Sequence, residues 1–382
     1  MKLKCDIQLP ASKSESNRAL MIAAYGGFAP DFQNLSDSND TLLLADAIRK
    51  AQSGEAAIDI ADCGTAARFM TTFLACHDGD WLLTGTERMK QRPIKPLVDA
   101  LLLLGADIQY VEKQGFLPLK IHGENLQDGK VGIDMSQSSQ FASSLLLAAP
   151  MFPQGLELEL QGCANSLPYL DMTLNMLCHF SAQAQRRDRT IVVKPQPYIK
   201  QPFAVEPDWT AASYWYEMAA FCEECEIKLR SLSLSKGRPN LQGDAIIADW
   251  MQSFGVCTTA TEDGIVLTKM PFEKKPLSFD FTDCPDLYPT MAATCAGLGI
   301  EACFTGLDNL AFKESDRVET MRQELAKLGS CPLHFCAHND HRVVMALAPL
   351  ALLCGPVIFD HPEVVKKSYP TFWSDCPFIT IR

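Results

Sequence analysis

The chain has 382 residues, 47% of them hydrophobic and 21% charged, with a formal net charge of -12. That length exceeds one ordinary core and predicts two domains, and the composition excludes a disordered or low-complexity protein. An acidic whole argues against nucleic acid or an anionic membrane as the main partner, yet leaves small anions open, because a local cationic cluster overrides net charge.

The opening Met1–Asp6 lacks the apolar core of a signal peptide. The 15 cysteines are an odd number that cannot pair completely, which predicts reduced thiols and a cytoplasmic setting. Ser12, Lys13, Ser14, Ser16 and Arg18 then crowd the mouth of an apolar helix, Ala19 to Tyr25, that Gly26-Gly27 stops. Serines there accept hydrogen bonds from the free N–H groups of the first turn. Those N–H groups and the helix dipole favour an anion. Lys13 and Arg18 repel the dipole, so they fit a bound phosphate or carboxylate; a capped surface helix with incidental charges is an equal contender.

Asp62-Cys63-Gly64-Thr65 leads into the next helix, where Gly64 allows close backbone approach and Thr65 is a candidate cap. Arg88, Lys90 and Arg92 put three cations before Pro93 and another helix. Residues 96–122 read as a helix through Leu104, a strand, a turn near Gly115 and a second strand. The pattern returns at 249–268, in its first half at 319–335, and as a worn copy at 174–193 with its turn at Arg187-Asp188-Arg189. Ser138 or Ser139 caps an apolar helix, Phe141 to Ala149. A proline-rich stretch, 194–207, reads as a connector.

Asp208 reads as an N-cap. Cys222-Glu223-Glu224-Cys225 has no second pair, so zinc or redox use is not expected. Asp286 precedes a small-residue helix and reads either as a cap or as a general base held ionised by cations. If 313–317 is already helical, Lys313 and Arg317 share one face, at a cost unless something negative sits on them. Asn339-Asp340-His341-Arg342 opens a buried helix; His341 reads as structural, whereas Arg342 needs a partner if buried. The apolar run 343–359 is short for a bilayer span and is broken by Pro349, Gly355 and Pro356. It predicts a buried helix followed by a strand.

Alternating helices and strands give an α/β class assembled from repeats. At least six helix entrances combine Ser, Thr or Asp with Lys or Arg. No Walker loop, G-x-G-x-x-G, H-E-x-x-H or G-x-S-x-G occurs, which leaves nucleotide, zinc and serine hydrolases without support. The implied site binds two compact, multiply charged anions and calls for neither metal nor cofactor.

Five motifs then stand in order: Ser-Lys-Ser-x-Ser-Asn-Arg from Ser12, Arg-x-x-x-Arg-Pro from Arg88, Ser-Ser-Gln from Ser138, Lys-Glu-x-Asp-Arg from Lys313 and Asn-Asp-His-Arg from Asn339. With Lys367-Ser368-Tyr369-Pro370 near the end, the chain closely resembles the EPSP synthase (3-phosphoshikimate 1-carboxyvinyltransferase) family. The resemblance implies two domains, residues 1–11 with 207–382 and residues 12–206. Each holds three similar βαβαββ-type units, with the active site in the cleft between the domains. It implies transfer of the enolpyruvyl group of phosphoenolpyruvate to the 5-hydroxyl of 3-phosphoshikimate, on the route to chorismate and aromatic amino acids.

By the same resemblance, Ser14, Arg18, Ser138, Ser139, Gln140, Ser166, Tyr169, Asn309 and Lys313 bind 3-phosphoshikimate. Lys13, Gly64, Arg92, Gln140, Arg317, Arg342 and Lys367 surround phosphoenolpyruvate. Asp286 is the base for the hydroxyl, Glu314 the acid for the methylene carbon, and Lys13 a third catalytic group that also reaches 3-phosphoshikimate. The resemblance further implies a cytoplasmic monomer. Glyphosate occupies the phosphoenolpyruvate site of sensitive members; Gly64 is kept here, but Asp62-Cys63 and Phe69 replace the usual Asn-Ala and proline. Two rivals remain: the sister transferase acting on UDP-N-acetylglucosamine, and a catalytically silent binding homologue.

Overall fold

Strand β1 (Lys2–Gln8) buries Leu3 and Ile7 and turns Lys2, Lys4, Asp6 and Gln8 to solvent, the two-residue alternation of a half-buried strand. In the computed structural model, which describes all residues except 125, 127, 128, 164, 235–241, 331, 381 and 382, the chain divides into two compact units. One is Met1–Ser12 with Ser36–Asn39 and Glu206–Arg382; the other is Lys13–Leu35 with Asp40–Val205.

The unit holding Asp40–Val205 contains two four-stranded sheets. The first runs β2 (Ala57–Asp59), β3 (Gly79–Thr84), β4 (Asp107–Tyr110) and β5 (Leu119–Gly123) along the chain, with spatial order β2-β3-β5-β4. The second runs β6 (Gly129–Asp134), β7 (Leu156–Gln161), β8 (Ala184–Arg187) and β9 (Thr190–Val193), with spatial order β6-β7-β9-β8. In both, the first pair is parallel and the other two are antiparallel. The turn between β8 and β9 is made by Asp188, whose φ is 50°, where the charged triplet predicted it.

The other unit repeats this plan with β1, β10 (Glu224–Arg230), β11 (Val256–Thr261) and β12 (Gly264–Lys269), in spatial order β1-β10-β12-β11. Two parallel pairs follow, β13 (Leu277–Asp280) with β14 (Ala302–Thr305), and β15 (Leu333–Phe335) with β16 (Val357–Phe359). Across β1 and β10, Lys2–Glu224, Lys4–Glu226 and Asp6–Arg230 form ion pairs. Each is exposed and weak, but together they favour the in-register pairing that puts Leu3, Ile7, Ile227 and Leu229 into one core.

Parallel neighbours need a crossover, and here it is a helix. Gly64–Ala75 joins β2 to β3, Gln140–Ala148 joins β6 to β7, Tyr288–Leu298 joins β13 to β14, and His341–Leu347 starts the link from β15 to β16. Gly64–Ala75 and His341–Leu347 are buried on every side, as is Trp209–Phe221 ahead of β10. This explains why they read as apolar all round rather than striped. Within each unit these helices pack on one another to form the core. Ligand-bearing loops of open α/β sheets lie at the carboxyl ends of parallel strands. The motifs obey that rule: Gly64, Ser138, Asp286 and Asp340 follow the first strand of a pair. Arg92, Ser166, Lys313 and Lys367 follow the second.

The run 343–359 forms helical turns from His341 to Cys354 and then β16. Among the described residues no helix is long and apolar enough to cross a membrane.

Candidate active site

Asp286 sits in a short 3-10 turn, Pro285–Leu287, just past β13. It does not cap the helix that follows. Its Oδ1 accepts from Arg317 Nη1 at 2.7 Å and lies 3.6 Å from Lys313 Nζ, while its Oδ2 is 2.8 Å from Arg342 Nη2. Burial alone would raise this carboxyl; Arg342, then Lys313 and Arg317, outweigh burial and hold it well below the usual carboxylate range.

Arg317 is almost wholly buried and fully engaged. Its Nε donates to Asp340 Oδ2 at 2.8 Å and its Nη2 to Glu314 Oε2 at 2.8 Å. Despite burial, those carboxylates raise its already high pKa. Asp340 also accepts from the Ser315 hydroxyl and from the Arg342 N–H, so one carboxylate caps His341–Leu347 and anchors the guanidinium. Lys313 is pushed down, mainly by burial.

A helix over 313–317 does not form. Leu310–Phe312 is a 3-10 turn, Lys313 is extended, and Asp316 caps Arg317–Leu325 by accepting from the Glu319 N–H at 3.2 Å. The two cations therefore avoid an i,i+4 repulsion along one helix and meet on Asp286 instead.

Sequence reasoning missed Asp244. It is buried after β10, its Oδ2 accepts from the Thr210 hydroxyl, and burial, with the nearby Asp286 charge, pushes it up to about 7. The signal available was positional, since it follows the second strand of a parallel pair as Arg92 and Lys313 do. Asn309 and Lys367 are both buried in this unit, Asn309 ahead of the 3-10 turn at 310 and Lys367 at the end of another, Pro362–Lys367. Asp208 caps Trp209–Phe221 as expected.

In the unit holding 40–205, Lys13 Nζ pairs with buried Asp40 at 2.9 Å. Asp40 was not anticipated, because nothing local links it to Lys13. Arg18 departs from the picture of a cation waiting for a ligand. It is buried, and its Nε donates to Thr173 Oγ1, its Nη1 to the Ser14 carbonyl, and its Nη2 to Ser143 Oγ and the Tyr169 carbonyl. Burial pushes its pKa down to about 10, which leaves it charged at neutral pH.

Gly64 opens its helix against two guanidinium groups. A Cβ there would lie 2.5 Å from Arg92 Nη1 and 2.8 Å from Arg68 Nη1, and Arg68 in turn donates to the Gly64 carbonyl. The cap is Cys63 rather than Thr65: its sulfur accepts from the Ala66 N–H at 3.3 Å. Thr65 Oγ1 accepts instead from Gln140 Nε2 at 3.2 Å. Ser138 Oγ accepts from the Gln140 N–H, next to buried Ser139 at the cap position of Gln140–Ala148. Ser166, left-handed at φ 62°, stands at the cap position of the helix Leu167–His179, which carries Tyr169.

A family model described as EPSP synthase (3-phosphoshikimate 1-carboxyvinyltransferase) matches residues 31–331 and 332–376. A 3-phosphoshikimate 1-carboxyvinyltransferase of Bacteroides fragilis (strain YCH46) is 42% identical over 396 aligned positions, covering 98% of this chain and 95% of that protein. The protein of that name from Syntrophobacter fumaroxidans (strain DSM 10017 / MPOB) is 33% identical, covering 97% of this chain and 96% of its own. Among solved structures, EPSP synthase from Acinetobacter baumannii matches with a TM-score of 0.74 at 19% identity, over 99% of this chain and 96% of that one. The enolpyruvyl transferase NikO from Streptomyces tendae matches with a TM-score of 0.65 at 16% identity, over 99% and 95%. At such identities the solved structures speak for the fold.

Proposed function

The chain belongs to the EPSP synthase (3-phosphoshikimate 1-carboxyvinyltransferase) family, and we propose that its two polar clusters carry out that family's reaction. The enolpyruvyl group of phosphoenolpyruvate passes to the 5-hydroxyl of 3-phosphoshikimate and phosphate leaves, a step of the shikimate pathway. The observation that carries the assignment of roles is the convergence of Lys313, Arg317 and Arg342 on the Asp286 carboxylate.

An anion such as phosphoenolpyruvate competes with Asp286 for those cations. Held as it is, Asp286 is ionised but a weak base. Donor oxygens that take up Arg342 and Arg317, with the acceptor taking up Lys313, cancel the field that depresses it, and burial then raises it. The base thus strengthens when the donor arrives, and it takes the proton of the 5-hydroxyl as that oxygen attacks. Glu314, ion-paired with Arg317 Nη2, first takes up a proton from solvent as the donor draws Arg317 away, then delivers it to the methylene carbon and recovers it on elimination, while the proton on Asp286 leaves with phosphate. Arg317, Arg342 and Lys367 bind phosphoenolpyruvate from this unit, while Asn309 and Lys313 reach 3-phosphoshikimate.

In the other unit, Ser138, Ser139 and Ser166 take the 3-phosphate, with support from helix N-terminal N–H groups. Ser14, Arg18, Tyr169 and Gln140 contact the rest of that ligand. Lys13, Gly64 and Arg92 contact the donor, Lys13 as a catalytic cation that also reaches the acceptor. Arg18 acts through the hydroxyls and carbonyls it already orders as much as by its charge. A cytoplasmic monomer is the proposed setting; the free cysteines among the described residues are compatible with a reducing compartment, and light scattering on the purified protein checks the monomer.

The deciding experiment mixes the protein with phosphoenolpyruvate and either 3-phosphoshikimate or UDP-N-acetylglucosamine. Phosphate release with the shikimate acceptor alone is the expected result. Release with the sugar nucleotide, or none with either, overturns it. Glyphosate is expected to inhibit in competition with phosphoenolpyruvate. Glu314→Gln is expected to lower kcat at least a hundredfold, and near wild-type turnover would remove Glu314 from the acid role.

A further inference from the structure

The connector between β15 and the helix His341–Leu347 delivers Asp340 and Arg342, yet its own backbone is unfavourable. His338 (φ 49°) and Asn339 (φ 54°) are consecutive left-handed residues, and neither is glycine. Such a turn persists only where its surroundings hold it. Four contacts do so. Glu324 Oε2 accepts from the Cys336 N–H at 2.9 Å, and Asp360 Oδ1 accepts from the Ala337 N–H at 2.7 Å. The Cys336 thiol donates to Asp360 Oδ2 at 3.0 Å, and the His338 imidazole Nε2 lies 2.9 Å from Glu324 Oε1.

Glu324 is buried and lies on the same helix as Arg317, seven residues further along. At 100° per residue that separation is two turns less 20°, so both side chains leave one face. Arg317 grips the connector's end at Asp340, and Glu324 grips its start at Cys336 and His338. One helix face therefore clamps both ends of the strained turn. Lys327 closes the outer side of Glu324 at 2.5 Å.

We propose that His338, held by Glu324, is a positioning residue that sets the placement of Arg342 against Asp286, and through Arg342 the affinity for phosphoenolpyruvate. The inference rests on the proposed contact of Arg342 with that substrate. Releasing the imidazole frees the left-handed turn, and Arg342, four residues on, loses its fixed approach to the carboxylate.

His338→Asn tests this well, because asparagine tolerates the left-handed backbone but is too short to reach Glu324. His338→Gln restores an amide donor near the imidazole position, and Arg342→Lys serves as the reference. The expected result is a KM for phosphoenolpyruvate raised at least fivefold in His338→Asn. Its kcat and its KM for 3-phosphoshikimate should stay within twofold, the thermal midpoint nearly unchanged, with partial recovery in His338→Gln. If Arg342→Lys raises that KM but His338→Asn leaves it unchanged, or only lowers the thermal midpoint, the inference falls and the site assignment stands. If Arg342→Lys also leaves that KM unchanged, the assignment of Arg342 falls and the inference falls with it.

Discussion

The three atoms nearest to a methyl group added at Gly64 all belong to the guanidinium groups of Arg92 and Arg68. The backbone can stay in place while the guanidinium groups move. Gly64→Ala is therefore expected to keep its thermal midpoint within a few degrees and to raise the KM for phosphoenolpyruvate about tenfold, because ångström-scale misplacement of a binding group is costly; steady-state kinetics beside a thermal melt checks both halves. Glu217 presents the opposite case, a buried carboxyl with no hydrogen-bond partner for either oxygen, raised well above its usual range by burial. A carboxyl raised on folding keeps a proton that the unfolded chain has lost. Stability then falls with rising pH, by about 1.4 kcal/mol per unit from roughly pH 4.5 up to the folded value. Glu217→Gln is expected to be more stable than the wild type at pH 8 and nearly equal to it at pH 4, as read by urea denaturation at both. At this scale the sequence showed which side chains carry charge but not which ones meet. Lys13 and Asp40 are joined only by the fold, and Asp244 looks like an ordinary surface residue until its burial is known.

Helix starts were the most readable elements: Asp208 caps as its position suggests, and the 339–342 cluster does stand at a buried helix entrance, where Asp340 proves to be the cap. Two details failed for local reasons. A thiol took the cap at Cys63 because Thr65 was already inside the helix and turned toward Gln140. The stretch 313–317 broke because Asp316 offered a better start than a helix with stacked cations. Asp340 concentrates element-level stability, serving a helix cap, the Ser315 hydroxyl and a buried guanidinium together. Asp340→Ala leaves Arg317 short of a buried partner and is expected to cost about 3–5 kcal/mol. Asp340→Asn keeps the cap and should cost less. Chemical denaturation of the two variants orders them, and equal losses would mean that the ion pair rather than the cap carries the effect.

Across the whole chain the repeat was legible because leucine spacing and terminal glycines recur, whereas the pairing of β1 with β10 left no local trace. That pairing makes the first residues part of the unit formed by 206–382. Removing residues 1–11 strips Leu3, Ile7 and Leu9 from its core and leaves β10 with an open edge. Limited proteolysis of the truncated protein should cut within 206–382 and spare 13–205; equal cleavage of both would contradict the pairing. The same strand has a history during synthesis. It leaves the ribosome well before its partner β10, which follows only after the other unit has been made. At about 5–20 residues per second, β1 waits roughly ten to forty-five seconds as a lone strand carrying Leu3 and Ile7. Lys2, Lys4 and Asp6 alternate with those side chains, so the charges that later pair with Glu224, Glu226 and Arg230 first serve to keep nascent chains apart.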